Sequence, residues 1–348
     1  MKARHRTRLF AGASFFILTA TLVVNGGETG QASAGPLRAS AAKIEARPTL
    51  AQLEADIASS VQLTAGPNIE TTIPPLLSMT PVDMSIVPMD PACYSDSVNS
   101  VPSNFATRCA WGAKTATRTI FLFGDSQAAQ WVPALNALGL DLGWKIIMLG
   151  LSQCSPWVDP QKLYYTGTSL AACTKFRNEE FRAINKTHPA IVIPDGLELD
   201  YGKGKYATPA QFVGELQTMA TALKPSGAKL VFLSPLPGFY PDFTNETPAT
   251  CLTAHAGNIQ TCLYSPTQMV SYELLTGFKA IAASTQGAVA NVTPLFCTTA
   301  KCAIFVKAGN TNHLVFYNDY HINRWYSLWI SQALETILNP LLTSTPAS

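Results

Sequence analysis

Thr119-Ile120-Phe121-Leu122-Phe123-Gly124-Asp125-Ser126 is the stretch that decides the fold. The unbroken run before Gly124 reads as a strand buried on both faces. A small-residue turn ends it, and the stretch from Gln127 onward reads as a helix. A strand that turns into a helix places its junction residue, Ser126, on the rim of a sheet. Open α/β sheets build their sites on that rim. The first N–H groups of a helix lack partners within it, so they are available near the serine hydroxyl.

Outward from this stretch the pattern alternates. Strands are expected over 119–123, 144–149, 190–194, 228–233 and 288–293. Helices are expected over 127–139, 173–187, 208–224, 266–285 and 323–338. Alternation with apolar strands implies a parallel sheet covered on both faces. Right-handed crossovers then give an α/β fold, a three-layer α/β/α sandwich with a central parallel sheet. The stretch 235–265 carries Pro235, Pro237, Pro241 and Pro248 with two cysteines, and reads as a long stapled loop. Before the domain, 35–48 reads as linker. Leu50, Leu53, Ile57 and Val61 predict a short amphipathic helix over 49–64. Residues 65–92 read as a Pro-rich arm packed on the domain. The domain itself is expected over 93–340, with a tail at 341–348.

The chain has 348 residues, 47% hydrophobic and only 13% charged, with a net charge of +2. This argues against nucleic acid or a strongly acidic partner. Lys2, Arg4, Arg6 and Arg8 precede an uncharged, mostly apolar stretch from Leu9 to Val24, and Ala32-Ser33-Ala34 has the form of a cleavage site. Residues 1–34 therefore read as a signal peptide, or as an uncleaved anchor. Either reading places the bulk of the chain outside the cytoplasm. Eight cysteines fit an oxidising compartment. They allow 105 pairings, but their spacing favours four local bridges: Cys93–Cys109, Cys154–Cys173, Cys251–Cys262 and Cys297–Cys302. There is no Cys-x-x-Cys pair. Cys297 and Cys302 with His313 form only a loose cluster, so neither metal nor cofactor is expected.

Ser126 is the candidate nucleophile, activated only if a base takes its proton. A lone Gly-Asp-Ser is also an ordinary turn; the flanking strand and helix make the difference. His321 is the candidate base and Asp319 the acid that orients it. The plain alternatives are a core or capping histidine and a capping aspartate. Asn318 would serve the orienting role less well, and Asp125 reads as a brace for the turn. Of the other histidines, His5 lies in the signal, His188 precedes a strand and His255 lies in the stapled loop; His313 is the competitor. Oxyanion donors are expected from the backbone N–H groups of Ser126 and of Gly150 or Gln153, with a third from Pro194-Asp195-Gly196. Trp131, Trp157 and Trp325 line a mouth or fill the core.

These residues resemble the SGNH (GDSL-like) hydrolase superfamily, and more narrowly the extracytoplasmic SGNH domain found fused to membrane acyltransferase-3 proteins. Phe123 to Trp131 resembles its first block, usually Gly-Asp-Ser-His-Ala-x-Gln-Trp. Ser152 to Pro156 resembles its Ser-Gly-Cys-Pro-Pro segment. Pro294-Leu295-Phe296-Cys297 with Cys302 resembles its late disulfide. Tyr317 to Asn323 resembles its last block. Gln127 stands where His is usual, Gln153 where Gly is usual, and Asn318 where the acid of Asp-x-x-His is usual. The superfamily's Gly-x-Asn-Asp block is absent; Ile193-Pro194-Asp195-Gly196 stands there instead.

The resemblance implies a flavodoxin-like SGNH fold and an exported serine esterase or O-acyltransferase. Its substrate would be an acylated envelope glycan or a small ester, attacked through an acyl-serine. A separate membrane acyltransferase is an implied partner, because this chain reads as a stand-alone version of the domain. Two other readings stay open: a decayed scaffold that binds glycan or a partner, and a general lipase with an apolar mouth.

Overall fold

The computed structural model describes residues 46–67, 72–73, 89–95, 97, 100–157, 170–196, 209–237, 248–269, 272–318 and 321–344. Residues 1–34 and the linker to 45 lie outside them, as do most of the Pro-rich arm, Asp319 and the last four residues. Contacts within the chain define one compact unit over Glu45–Ser348. Its strands are β1 (Thr72–Ile73), β2 (Tyr94–Ser95), β3 (Ala110–Gly112), β4 (Thr119–Gly124), β5 (Lys145–Leu151), β6 (Ile191–Asp195), β7 (Lys229–Leu233), β8 (Ala288–Ala290), β9 (Phe305–Ala308) and β10 (Thr311–Leu314). Its helices are α1 (Leu50–Ser60), α2 (Phe105–Arg108), α3 (Ser126–Ala129), α4 (Val132–Leu142), α5 (Leu170–Thr187), α6 (Pro209–Leu223), α7 (Pro248–Ala254), α8 (Pro266–Met269), α9 (Tyr272–Thr285), α10 (Arg324–Trp329) and α11 (Ser331–Thr343).

The main sheet runs β2-β5-β4-β6-β7-β8 with parallel pairing throughout, and β3 adds an antiparallel pair on the outer edge of β5. Every residue of β4 is buried. Side chains alternate across a strand, and the core divides accordingly. Ile120, Leu122, Ile146, Met148, Ile191 and Ile193 face a layer built on α1, α4, α10 and α11. Phe121, Phe123, Ile147, Leu149, Val192 and Phe232 face a layer built on α5, α6 and α9. This is the expected three-layer sandwich. The sheet's two wings start from neighbouring strands: β5 lies on one side of β4 and β6 on the other. A crevice for ligands opens at the C-terminal ends of strands at such a reversal.

Local chemistry moves several boundaries. The expected helix 127–139 begins at Ser126 and breaks around Gln130-Trp131, because Pro133 favours a fresh first turn. Gly143, at φ 69°, ends α4 in the left-handed conformation. The stretch 266–285 is helical over its described residues, Pro266–Met269 and Tyr272–Thr285. The stretch 323–338 divides at Ile330, and its second part continues to Thr343. The tail expected at 341–348 therefore begins inside a helix, and Arg118 Nη2 donates to Leu342 O there at 2.6 Å. The stapled loop contains α7 and a short 3-10 turn. A small second sheet, β1-β10-β9, was not expected at all.

All four expected disulfides are formed. With Cys297 bonded to Cys302, neither sulfur is a thiolate ligand. His313 is buried in β10 and stacks on Trp329 at 3.7 Å between ring centroids. The competitor to His321 is a core histidine.

Helix α1 is part of the core rather than an ornament on it. Thr49 caps it through a reciprocal bond with Gln52. Leu53 and Ile57 are wholly buried, and the helix rests on β9 and α11. Ser60 Oγ accepts the Lys307 N–H at 2.8 Å. Leu53→Ala should therefore cost about 2–5 kcal/mol in urea denaturation, the range for core leucines. A loss within experimental error would mean that the helix merely leans on the domain.

Candidate active site

Ser126 is the first residue of α3, and it is the one residue of the block 120–130 that is not fully buried. The turn before it requires glycine. Gly124 has φ 140°, and a Cβ there would lie 1.8 Å from the Asp195 carbonyl oxygen. Strands β4 and β6 thus close on each other at the point where the serine emerges. Asp125 is buried and accepts the Gln127 N–H at 2.8 Å, which is the bracing role expected of it.

His321 lies on a short loop between β10 and α10. The loop is closed by a bridge between Phe316 and Ile322 and by the Tyr317 N–H donating to His321 O at 3.1 Å. Gln130 ties this loop to the serine's helix. Its Oε1 accepts the Ile322 N–H at 2.7 Å, its Nε2 donates to Gln127 Oε1 at 2.7 Å, and its carbonyl accepts Ser327 Oγ. The structure thereby brings the Ser126 and His321 segments together. The imidazole is buried, stacks on Tyr317 at 5.4 Å, and has Nδ1 3.0 Å from Asn318 Nδ2 and 3.2 Å from Oδ1. Burial pushes its pKa down to about 4, so the ring is neutral near pH 7, as a base must be.

Gly150 is a correction. Strand β5 extends through Leu151, and the Gly150 N–H is spent on Cys93 O at 2.9 Å. It cannot also meet an oxyanion. Gln153 lies in the turn beyond, at φ 62°. That conformation favours glycine, which explains the residue usual at this position. Its loop is held from below: Arg177, buried on α5, donates Nη1 to Ser155 O at 2.9 Å and to Trp157 O at 2.7 Å, and Cys154 is bonded to Cys173 on the same helix.

Trp131 and Trp157 are core residues, while Trp325 is 39% exposed, with the Arg324 guanidinium 5.0 Å from its ring. Trp131 Nε1 donates to Asp195 Oδ2 at 2.8 Å, so Asp195 ties α4 to the end of β6. Burial first, then the nearby Asp125 charge, push the Asp195 carboxyl up to about 8. Glu180 on α5 is also buried and raised, mainly by burial, with Arg177 opposing. Sequence reasoning missed the Gln130 and Arg177 links. The Gln-Trp pair of the first block was the available signal for the former.

A parallel sheet ordered about a β4/β6 reversal, with a serine on the rim and a histidine loop tied to its helix, defines an SGNH-type α/β/α domain. The chain belongs to the SGNH domain family, the SGNH domain fused to AT3 domains, whose model matches residues 92–336. Among solved structures, the periplasmic domain of a Salmonella ser. Paratyphi A lipopolysaccharide acetyltransferase superposes with a TM-score of 0.52 at 14% identity. The match covers 73% of this chain and 92% of that one. A putative acylhydrolase from Bacteroides fragilis matches at a TM-score of 0.40 and 13% identity, covering 68% and 93%. A GDSL-like lipase from Bacteroides thetaiotaomicron matches at 0.38 and 15%, covering 65% and 88%. No curated protein matches.

The raised Asp195 gives a pH test. Its carboxyl titrates near 3.8 in the unfolded chain and near 8 in the folded one. The folded chain binds the extra proton between these values, so this group's contribution to stability is lost as pH rises through that window. Asp195→Asn keeps an acceptor for Trp131 and removes the loss. Its Tm relative to wild type should climb between about pH 4 and pH 8 in thermal melts; a constant difference would refute the assignment.

Proposed function

We propose that this protein is an extracytoplasmic serine esterase or O-acyltransferase acting on acyl esters, in the first instance acetyl esters, of envelope glycans. The observation that carries the reading is the placement of Ser126 at the β4/β6 reversal on a helix that Gln130 ties to the His321 loop. Ser126 Oγ attacks the ester carbonyl while His321 Nε2 takes its proton. The oxyanion is met by the Ser126 and Gln153 N–H groups. The C–O bond to the sugar breaks, and the departing oxygen takes the proton back from His321. The acyl-serine then passes its acyl group to water or to a second sugar hydroxyl, with His321 again moving the proton. Asp319, expected as the acid, is retained as a candidate for mutation.

Four disulfides support an oxidising, extracytoplasmic site of action, as does the signal-like N-terminus. Among the described residues no helix is long and apolar enough to cross a membrane. The lipopolysaccharide acetyltransferase neighbour supports a glycan acceptor, and a separate membrane acyltransferase would supply the acyl group. The exposed Trp325, four residues beyond His321, offers a surface on which a sugar ring stacks. One observation favours the second reading, a quiet glycan-binding scaffold: the side chain resting on His321 is an amide, Asn318.

Labelling with a fluorophosphonate separates the two. The disulfide-bonded chain should be labelled and Ser126→Ala should not; no labelling of either would favour the scaffold. With p-nitrophenyl acetate, the acidic limb of kcat/KM should fall near pH 4, following the depressed His321, rather than near an ordinary histidine value of about 6.5. Trp325→Ala should raise KM for an acetylated oligosaccharide severalfold and leave that for p-nitrophenyl acetate unchanged. Equal changes would remove Trp325 from glycan recognition.

A further inference from the structure

We infer that Asn318 is the residue that positions the His321 imidazole, and that its amide lets the ring rest in a tautomer that cannot act as base. The inference rests on the reading of His321 as the base of an acyl-serine reaction.

The geometry comes from one closed turn. Asn318 Oδ1 accepts the His321 backbone N–H at 2.8 Å. That bond fixes which end of the amide is oxygen, since the other assignment would set two donors against each other. His321 Nδ1 then lies within reach of both ends, 3.2 Å from Oδ1 and 3.0 Å from Nδ2. Tyr317 stacks on the ring from the same loop. From α3 the facing side is tied by Gln130, a neutral amide like its partner Gln127.

Two arrangements follow. If Nδ1 carries the proton, it donates to Oδ1, and Nε2 has a lone pair with which to take the Ser126 proton. If Nε2 carries the proton, Nδ1 accepts from Nδ2, and the ring has no lone pair for the serine. A carboxylate at position 318 would allow only the first arrangement, because it has no donor to offer. It would also offset the positive imidazolium that forms as the serine attacks. The amide does neither. In a serine protease triad, replacing the orienting aspartate by asparagine costs about 10⁴ in kcat through the wrong tautomer. This chain carries the asparagine form by nature.

Asn318→Asp is the informative variant. It keeps an oxygen for the His321 N–H, so the turn survives, while removing the competing donor. In 15N-histidine NMR of the full chain, wild-type His321 should show a substantial Nε2–H population. Asn318→Asp should show Nδ1–H, and its imidazole pKa should move up by at least one unit. Its kcat on p-nitrophenyl acetate should rise about tenfold or more at unchanged KM, and the acidic limb should move with the NMR titration. Asn318→Ala should lose activity and not be rescued at any pH. An Nδ1–H ring in wild type, or an unmoved titration in Asn318→Asp, would overturn the inference. So would Asp319→Asn shifting the His321 titration while Asn318→Asp does not. The NMR arm, repeated in Ser126→Ala, needs no turnover. If the tautomer shifts and no variant hydrolyses ester, the positioning role stands and the acyl-serine reading fails.

Discussion

A strand buried on both faces has no place for a reactive polar group until it ends, and everything at this site follows from how β4 ends. Gly124 gives up its side chain so that the Asp195 carbonyl can close against it. The chain must then leave the sheet sharply, and Ser126 becomes the first partly exposed residue after seven buried ones, Thr119 to Asp125. Asp125, hidden beneath, braces the turn through Gln127. A side chain at 124 would part β4 from β6, and the serine would lose the rim it stands on.

Around that turn the structure converts sequence distance into contact through a few polar links. Gln130 reaches across 192 residues to the backbone of Ile322, and Trp131 reaches Asp195. Arg177 and the Cys154–Cys173 bond hold the loop that presents Gln153. These groups are buried, and their partners are chosen so that polar atoms in an apolar core are satisfied. The acidic pair Asp125 and Asp195 is tolerated because one of them keeps its proton well above the usual carboxylate range.

How much of this was legible depended on whether the signal was periodic or relational. Strands β4 to β7 and the helices between them could be read because burial on two faces imposes apolar runs, whereas the strand expected over 288–293 is only Ala288–Ala290. The cysteine pairs could be read because their loops are short. Ser126 stood out by context. By contrast, β2 and β3 are two and three residues long, too short to show a period. The β9–β10 hairpin turns on Gly309-Asn310, a two-residue signal of the right kind that the surrounding polar residues obscured. Gly150 misled because a glycine near a strand end reads as a loop, whereas here it lies inside the ladder. Asn318 could be seen standing where an acid is usual; what its amide does to the ring needed coordinates.

The seating of α1 has a consequence for how the molecule is made. Ser60 bonds to Lys307, 247 residues away, and Leu53 and Ile57 lie in a core shared with β9 and α11. The first of the described helices is therefore among the last to find its neighbours. Contacts of such long separation are slow to form, since the loop entropy is spent before they repay it. A chain made amino end first carries α1's apolar stripe bare until residue 307 and beyond have followed. Cover for that stripe while the rest of the chain is made thus becomes part of this protein's working requirements.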